Sequence, residues 1–422
     1  MVHIARDTVL VNCALYDAVD DAVRPDQGIW VGADGLIRAV GGSDDVLDEA
    51  DRDRSAVVDM AGGYVMPGLV NMHVHLALVL PGQVGAEVTN AGDADLVLLM
   101  ADSARRTLHS GVTTVRLVGE RRYADFALRR AIDRGAVDGP RIFTAGHALC
   151  CTGGHGWGAD ALEADGVDGF RRLTREQLRA GADLIKVCVS GGIAGEYEHI
   201  DTPQLLDDEM AAVIRVAHDW GRKVTAHAGP AEVVRRAVEL GLDCVEHGYQ
   251  LTDDVTRLMA ARGVWYVPTI VVSRCEQFFR DSGVPGWMME RALAAGPGHW
   301  ASLRSALRHG VPVVLGTDLP PHAPYDETSA TVRELEFMVD AGMPVADALR
   351  AATVRPAEWL GVADRIGTVE PGKRADLIAL RDDPTRDVAA LRTLHLVMKD
   401  GVVYRDDLGL TGRACPARPS AG

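Results

Sequence analysis

Met66-Pro67-Gly68-Leu69-Val70-Asn71-Met72-His73-Val74-His75-Leu76 is a proline-glycine turn that runs into an apolar stretch carrying two histidines. Successive side chains on a strand point to opposite faces, so His73 and His75 share one face while Met72, Val74 and Leu76 take the other. Two imidazoles on one face can hold one metal ion. The spacing alone is a weak sign. With 14 histidines in 422 residues, chance gives about 0.4 such pairs, and a solvated or hydrogen-bonded pair is the ordinary alternative.

Beyond this first run, apolar strand-like stretches alternate with amphipathic helical ones. The strand-like runs are 70–79, 112–118, 141–145, 184–189, 224–228, 244–247, 264–270 and 311–317, with helical spacers such as 207–220 and 231–240. This alternation predicts an α/β fold, a (β/α)8 TIM barrel over 66–359. The Met-, Trp- and Ala-rich segment 274–304 reads as a helical insertion after the seventh strand. Short β-type runs split by Asp/Gly turns fill 1–65 and return over 360–405, where Asp400-Gly401 marks a hairpin. Both ends are expected to build one small composite β-sandwich domain, with 406–422 a disordered tail.

Composition narrows the function. Lys and Arg total 44 against 60 Asp and Glu, a formal charge of −16, and no basic stripe with interleaved aromatics occurs. Such a field disfavours nucleic acid and anionic membrane as partners. No signal-type apolar region or membrane-length apolar run is read, so a cytoplasmic location is expected. Seven scattered cysteines without Cys-x-x-Cys spacing read as reduced thiols.

In a barrel of this type, reacting groups sit at the C-terminal ends of strands. Those ends hold His73 and His75, Lys186, His227, His247 and Asp318. Singly, His227 reads equally as a core histidine, Asp318 as a helix cap and Lys186 as a snorkelling lysine. Together, at five strand ends, they are hard to explain as accidents. A lysine between two cations loses its proton and can take up carbon dioxide as a carbamate, a bridging anionic ligand. The reading is a binuclear centre of two divalent ions, zinc by ligand type, although manganese, cobalt and iron remain open. His73, His75 and Asp318 serve one ion, His227 and His247 the other, and N6-carboxylated Lys186 lies between.

These residues carry a resemblance. Met-Pro-Gly-Leu-x-x-x-His-x-His at 66–75, Lys186, His227, Glu-His-Gly at 246–248, Gly-Thr-Asp at 316–318 and Glu-Pro-Gly-Lys-x-Ala-Asp-Leu at 370–377 resemble the amidohydrolase superfamily across nearly the whole chain. Thr152-Gly153-Gly154-His155-Gly156 and the Lys186 arrangement resemble the branch of metal-dependent Xaa-Pro and Xaa-Arg dipeptidases and related carboxypeptidases, with imidazolonepropionase a more distant relative. The resemblance gives His155 contact with the scissile carbonyl and places Tyr249 and His322 as substrate contacts. It also implies a homo-oligomer. Two departures concern the substrate pocket: Arg116-Leu117-Val118-Gly119 replaces the usual Arg-Asp-x-Gly, and His227-Ala228-Gly229-Pro230 replaces His-Ala-His-Gly.

The expected reaction is hydrolysis of an amide or peptide C–N bond in a small substrate, a dipeptide or N-acyl amino acid. A metal-bridging hydroxide would attack because bound water ionises near pH ~7 rather than ~15.7. Asp318 would move the proton to the leaving amine. A cyclic amide, carbamate or ester hydrolase on the same metals, imidazolonepropionase-like, is the alternative enzyme, and a barrel that has lost catalysis is the non-enzymatic one. Glu196, Glu198 and Asp201, following the Lys186 strand, read either as an attractor for a basic side chain or as a solvated acidic loop.

Overall fold

The computed structural model describes residues 7–50 and 55–409, so most of the expected tail, 410–422, lies outside the described residues. Contacts within the chain divide it into two compact units: residues 1–70, 107–114 and 344–422, and residues 71–106 and 115–343. Among the described residues no helix is long and apolar enough to cross a membrane, and six cysteines are free thiols.

The first unit holds an eight-stranded sheet that joins the two chain ends. Its order is Val402–Asp406, Leu394–Lys399, Leu377–Leu380, Tyr64–Pro67, Thr8–Leu15, Arg24–Val31 and Ile37–Gly42, with Ala56–Asp59 pairing parallel to Thr8–Leu15. The join is antiparallel, with Ile378 opposite Met66 and Ala379 opposite Val65. Alternation along these strands sends Leu10, Ile29, Val65, Leu377 and Leu396 into one apolar cluster. Hydrogen bonding thus joins the two chain ends in one continuous sheet.

The second unit is α/β. Six strands pair in parallel in the order Ala161–Glu163, Ala148–Cys150, Ile185–Cys188, Val224–Pro230, Cys244–Gln250 and Trp265–Val267. A second sheet orders Leu69–Val74, Val112–Leu117 and Arg141–Thr144, of which residues 71–74, 115–117 and 141–144 fall in this unit. Parallel strands need crossovers, and helices such as Asp207–Asp219 and Ala231–Glu239 supply them. The 70–79 run extends as a strand only to Val74. The 311–317 run makes a single bridge, Val313 to Tyr266. Its amides and carbonyls reach both ways, Val314 N–H to Tyr266 O at 3.0 Å and Met72 N–H to Leu315 O at 2.8 Å. On the other side, Asp183 N–H donates to Thr144 O at 2.8 Å.

The 274–304 insertion is helical, Glu276–Asp281 and Gly286–Arg308. Its Phe279, Met288 and Ala292 pack with Tyr249, Val271 and Leu319. Residues 270–273 beside it are held by Glu334 of helix Ala330–Asp340, which accepts the N–H groups of Ile270 at 2.9 Å and Val271 at 2.8 Å. Burial pushes the Glu334 carboxyl from its usual 4.5 up to about 8, outweighing the pull of those two N–H groups. A raised folded-state pKa means that the folded protein keeps a proton the unfolded chain gives up. Its stabilising effect is complete below the unfolded value and disappears as pH rises through the folded one. Relative to Glu334→Gln, the wild-type Tm should therefore fall between about pH 5 and about pH 9. Parallel melting curves for the two proteins would contradict this.

Candidate active site

Strand ends of the second unit deliver the polar residues to one cavity of about 480 Å³, lined by His73, His75, Lys186, His227, His247 and Asp318 together with His155 and Tyr249. His73 and His75 do share a face. Their Nε2 atoms lie 3.0 and 3.2 Å from the same Asp318 Oδ1. Each ring is aimed by a partner on its other nitrogen: His73 Nδ1 donates to Glu246 Oε2 at 2.8 Å and His75 Nδ1 to Gly119 O at 2.8 Å. Such outer partners fix the orientation of each ring, with Nε2 turned toward the centre.

His247 arrives by a break in strand geometry. In an extended strand Glu246 and His247 would face opposite ways. His247 instead has φ 65°, and both side chains reach His73: Glu246 through the hydrogen bond above, and His247 with ring centroids 4.8 Å apart. His247 Nδ1 lies 2.8 Å from Thr269 Oγ1 and 4.0 Å from Asp318 Oδ2. Asp318 is likewise left-handed, φ 56°. Backbone strain of this kind persists only where the surroundings impose it, and it concentrates at functional sites. Gly316 of the Gly-Thr-Asp motif has a packing role, because a Cβ there would sit 2.2 Å from Val267 Cγ1 and 2.8 Å from His73 Cβ.

His73, His247 and Asp318 offer ligand atoms that all lie within 4.8 Å of one another. His227 adds a ring 4.6 Å from that of His247, and its Nε2 meets Gly191 O at 3.1 Å, which leaves Nδ1 free for a ligand. Lys186 is 3% exposed. Among the described residues its amine makes no hydrogen bond, and the side chain lines the cavity. Burial holds His227 and His247 well below the usual 6.5, reinforced by His155 and Lys186 around the first and by His227 around the second. Both are therefore neutral, with lone pairs available. Burial pushes Asp318 up, but His73, His75 and His247 outweigh it and hold the carboxyl well below its usual range. Burial also lowers His75, yet Asp318 and Asp160 raise it to about 9. This corner of the cavity attracts positive charge, and its imidazole and carboxylate donors are those a divalent ion takes.

Sequence reading missed the support beneath these groups. Glu246 is fully buried and accepts from Arg116, Thr225 and His73. Burial raises its carboxyl, but Arg116 and His73 overcome that and keep it anionic. Arg116, also fully buried, donates from Nε to Met72 O. The available signal was an arginine inside the apolar 112–118 strand, which must find a carboxylate.

Tyr249 is buried and stacks on His247, centroids 5.4 Å apart and planes within 4°. His155 stacks on His227 at 4.0 Å. His322 is not brought into the cavity. It is absent from the lining of that cavity, and the charges that act on it are those of Arg106, Asp102 and Arg105. Glu198 does not face solvent as an attractor either, since it is 7% exposed and bonded to His155.

Comparison with known proteins gives the same picture. The ochratoxinase of Aspergillus niger is 30% identical over 379 residues, covering 81% of this chain and 75% of its own. The imidazolonepropionase of Geobacillus thermodenitrificans is 29% identical over 392 residues, 83% of this chain and 82% of its own. A solved Xaa-Pro dipeptidase with methionine bound in its active site is 31% identical with a TM-score of 0.84, covering 94% of this chain and all of that one. The amidohydrolase family profile matches residues 64–404, the span that holds every strand-end residue above. The chain therefore belongs to the amidohydrolase family and is a hydrolase of that kind.

Proposed function

We propose that this enzyme hydrolyses an amide or peptide C–N bond of a small substrate, a dipeptide or N-acyl amino acid, on two divalent ions of the zinc type. His73, His75 and Asp318 would hold one ion, His227 and His247 the other, with N6-carboxylated Lys186 shared between them. Bound there, such ions supply a water that ionises near neutral pH and polarise the scissile carbonyl. The observation that carries the reading is the meeting of four imidazoles, a buried lysine and an anionic carboxylate at one cavity. Asp318, held anionic, is the group able to take a proton from water and return it to the leaving amine. His155 is the donor toward the carbonyl oxygen.

The same reading takes the second unit as a closed (β/α)8 barrel. Support comes from the Val313 bridge and the Met72, Val314 and Asp183 hydrogen bonds, which extend the two sheets toward each other on both sides. The first unit would be its companion β-domain. The cavity wall offered by Leu78, Leu80, Val272, Phe279 and Met288 is apolar, which also suits an uncharged cyclic amide, carbamate or ester. A panel of dipeptides, N-acyl amino acids, cyclic imides and carbamates, assayed with elemental analysis of the purified protein, tests both readings. Turnover confined to the dipeptides and N-acyl amino acids is expected, at about two equivalents of divalent metal per chain. Purified protein with neither metal nor turnover would overturn the proposal.

A further inference from the structure

Beside the cavity lies a closed ring of hydrogen bonds unrelated to the metal-type ligands. His155 Nδ1 donates to Glu198 Oε1 at 2.6 Å, Gln204 Nε2 donates to Glu198 Oε2 at 2.8 Å, and Gln204 Oε1 accepts the His155 backbone N–H at 2.9 Å. Gly195 N–H adds a fourth bond to Oε1 at 3.0 Å. The loop carrying this carboxylate is itself clamped. Arg291 of helix Gly286–Arg308 donates from one guanidinium nitrogen to the carbonyls of Gly192, Ile193 and Gly195, and lies 4.9 Å over the Trp287 ring.

We infer that Glu198 is a positioning residue for the reaction: it holds His155 with Nδ1 as donor to the carboxylate and the opposite edge of the ring free for the substrate carbonyl. This rests on the role of His155 proposed above. The physical reason is twofold. The packing of the ring bears on its two faces, which leaves rotation within that slot open, and a carboxylate at Nδ1 fixes the rotation and makes Nδ1 the donor. Among the described residues His155 Nε2 makes no hydrogen bond, and the ring is seated between His227 on one side and Gly192 on the other. Burial raises the Glu198 carboxyl, but His155, Gln204 and neighbouring amides bring it below its usual range. The carboxylate is therefore available as an anion to accept from His155 Nδ1.

Gly192 provides an independent handle. A Cβ there would lie 2.2 Å from His155 Cε1 and 2.4 Å from Nδ1, so Gly192→Ala must move the ring while leaving Glu198 charged. We expect Glu198→Gln to lower kcat about tenfold or more with KM, metal content and Tm close to wild type. Gly192→Ala should reproduce that loss. His155→Ala should cost about a hundredfold, and adding Glu198→Gln to it should cost nothing further. Wild-type kcat in Glu198→Gln alongside an impaired His155→Ala overturns this inference and leaves the proposed reaction standing. A further loss in the double variant also overturns it, since the carboxylate would then act elsewhere. Full activity in His155→Ala removes both this inference and the role given to His155.

Discussion

Asp318→Asn should cut kcat by about a thousandfold or more while leaving the protein folded. The carboxylate sits 3.0 and 3.2 Å from the Nε2 atoms of His73 and His75, where a neutral amide brings no charge to a cation and is too weak a base to take a proton from water. Asparagine is the informative replacement because the residue has φ 56°, a conformation that Asn adopts at less cost than Ala. A kcat fall caused by backbone strain is thereby separated from one caused by lost charge. The measurement pairs kcat and KM with a thermal melt and elemental analysis. Activity within about threefold of wild type would remove Asp318 from the reaction, because even weak proton-transfer groups contribute more than that.

Lys186→Ala should lose both metal and turnover, and short carboxylic acids such as acetate or propionate should restore part of each. The side chain is 3% exposed at the floor of the cavity, and its neighbours His227 and His247 are held neutral. An ammonium there would be repelled by any bound cation, whereas a carbamate would bridge two of them. A small carboxylate occupies the space left by alanine and offers the same two oxygens. Wild-type metal stoichiometry and activity in Lys186→Ala would eliminate the carbamate bridge. Loss without rescue at any acid concentration would leave lysine needed for a reason other than a bridging anion.

How legible the site was depended on what each residue stood among. His73 and His75 could be read as a pair because strand alternation is a local rule. Lys186 and Arg116 were conspicuous because long charged side chains inside apolar runs require compensation, though only Lys186 was taken up. Glu246 stands in the Glu-His-Gly motif at 246–248, which by itself implies no partner for it. Its approach to His73 alongside His247 depends on the positive φ of His247, which periodicity does not encode. Glu198 was read for its charge toward solvent, yet it faces inward on His155, because the loop bearing it is pinned by Arg291 nearly a hundred positions away. The resemblance places His322 with the substrate by position, whereas the cavity lining does not include it and the charges acting on it are those of Arg106 and Asp102.

Short-range chemistry was thus enough to name the α/β alternation, the strand ends and the ligand-type residues upon them, since alternation, turn residues and the cost of a buried charge act within a few positions of the chain. The pairing of Ile378 with Met66, the aiming of His73 by Glu246 and of His155 by Glu198, and the exclusion of His322 from the cavity needed the folded chain. Each depends on a partner tens to hundreds of residues away, or on one backbone angle, and neither leaves a period in the sequence.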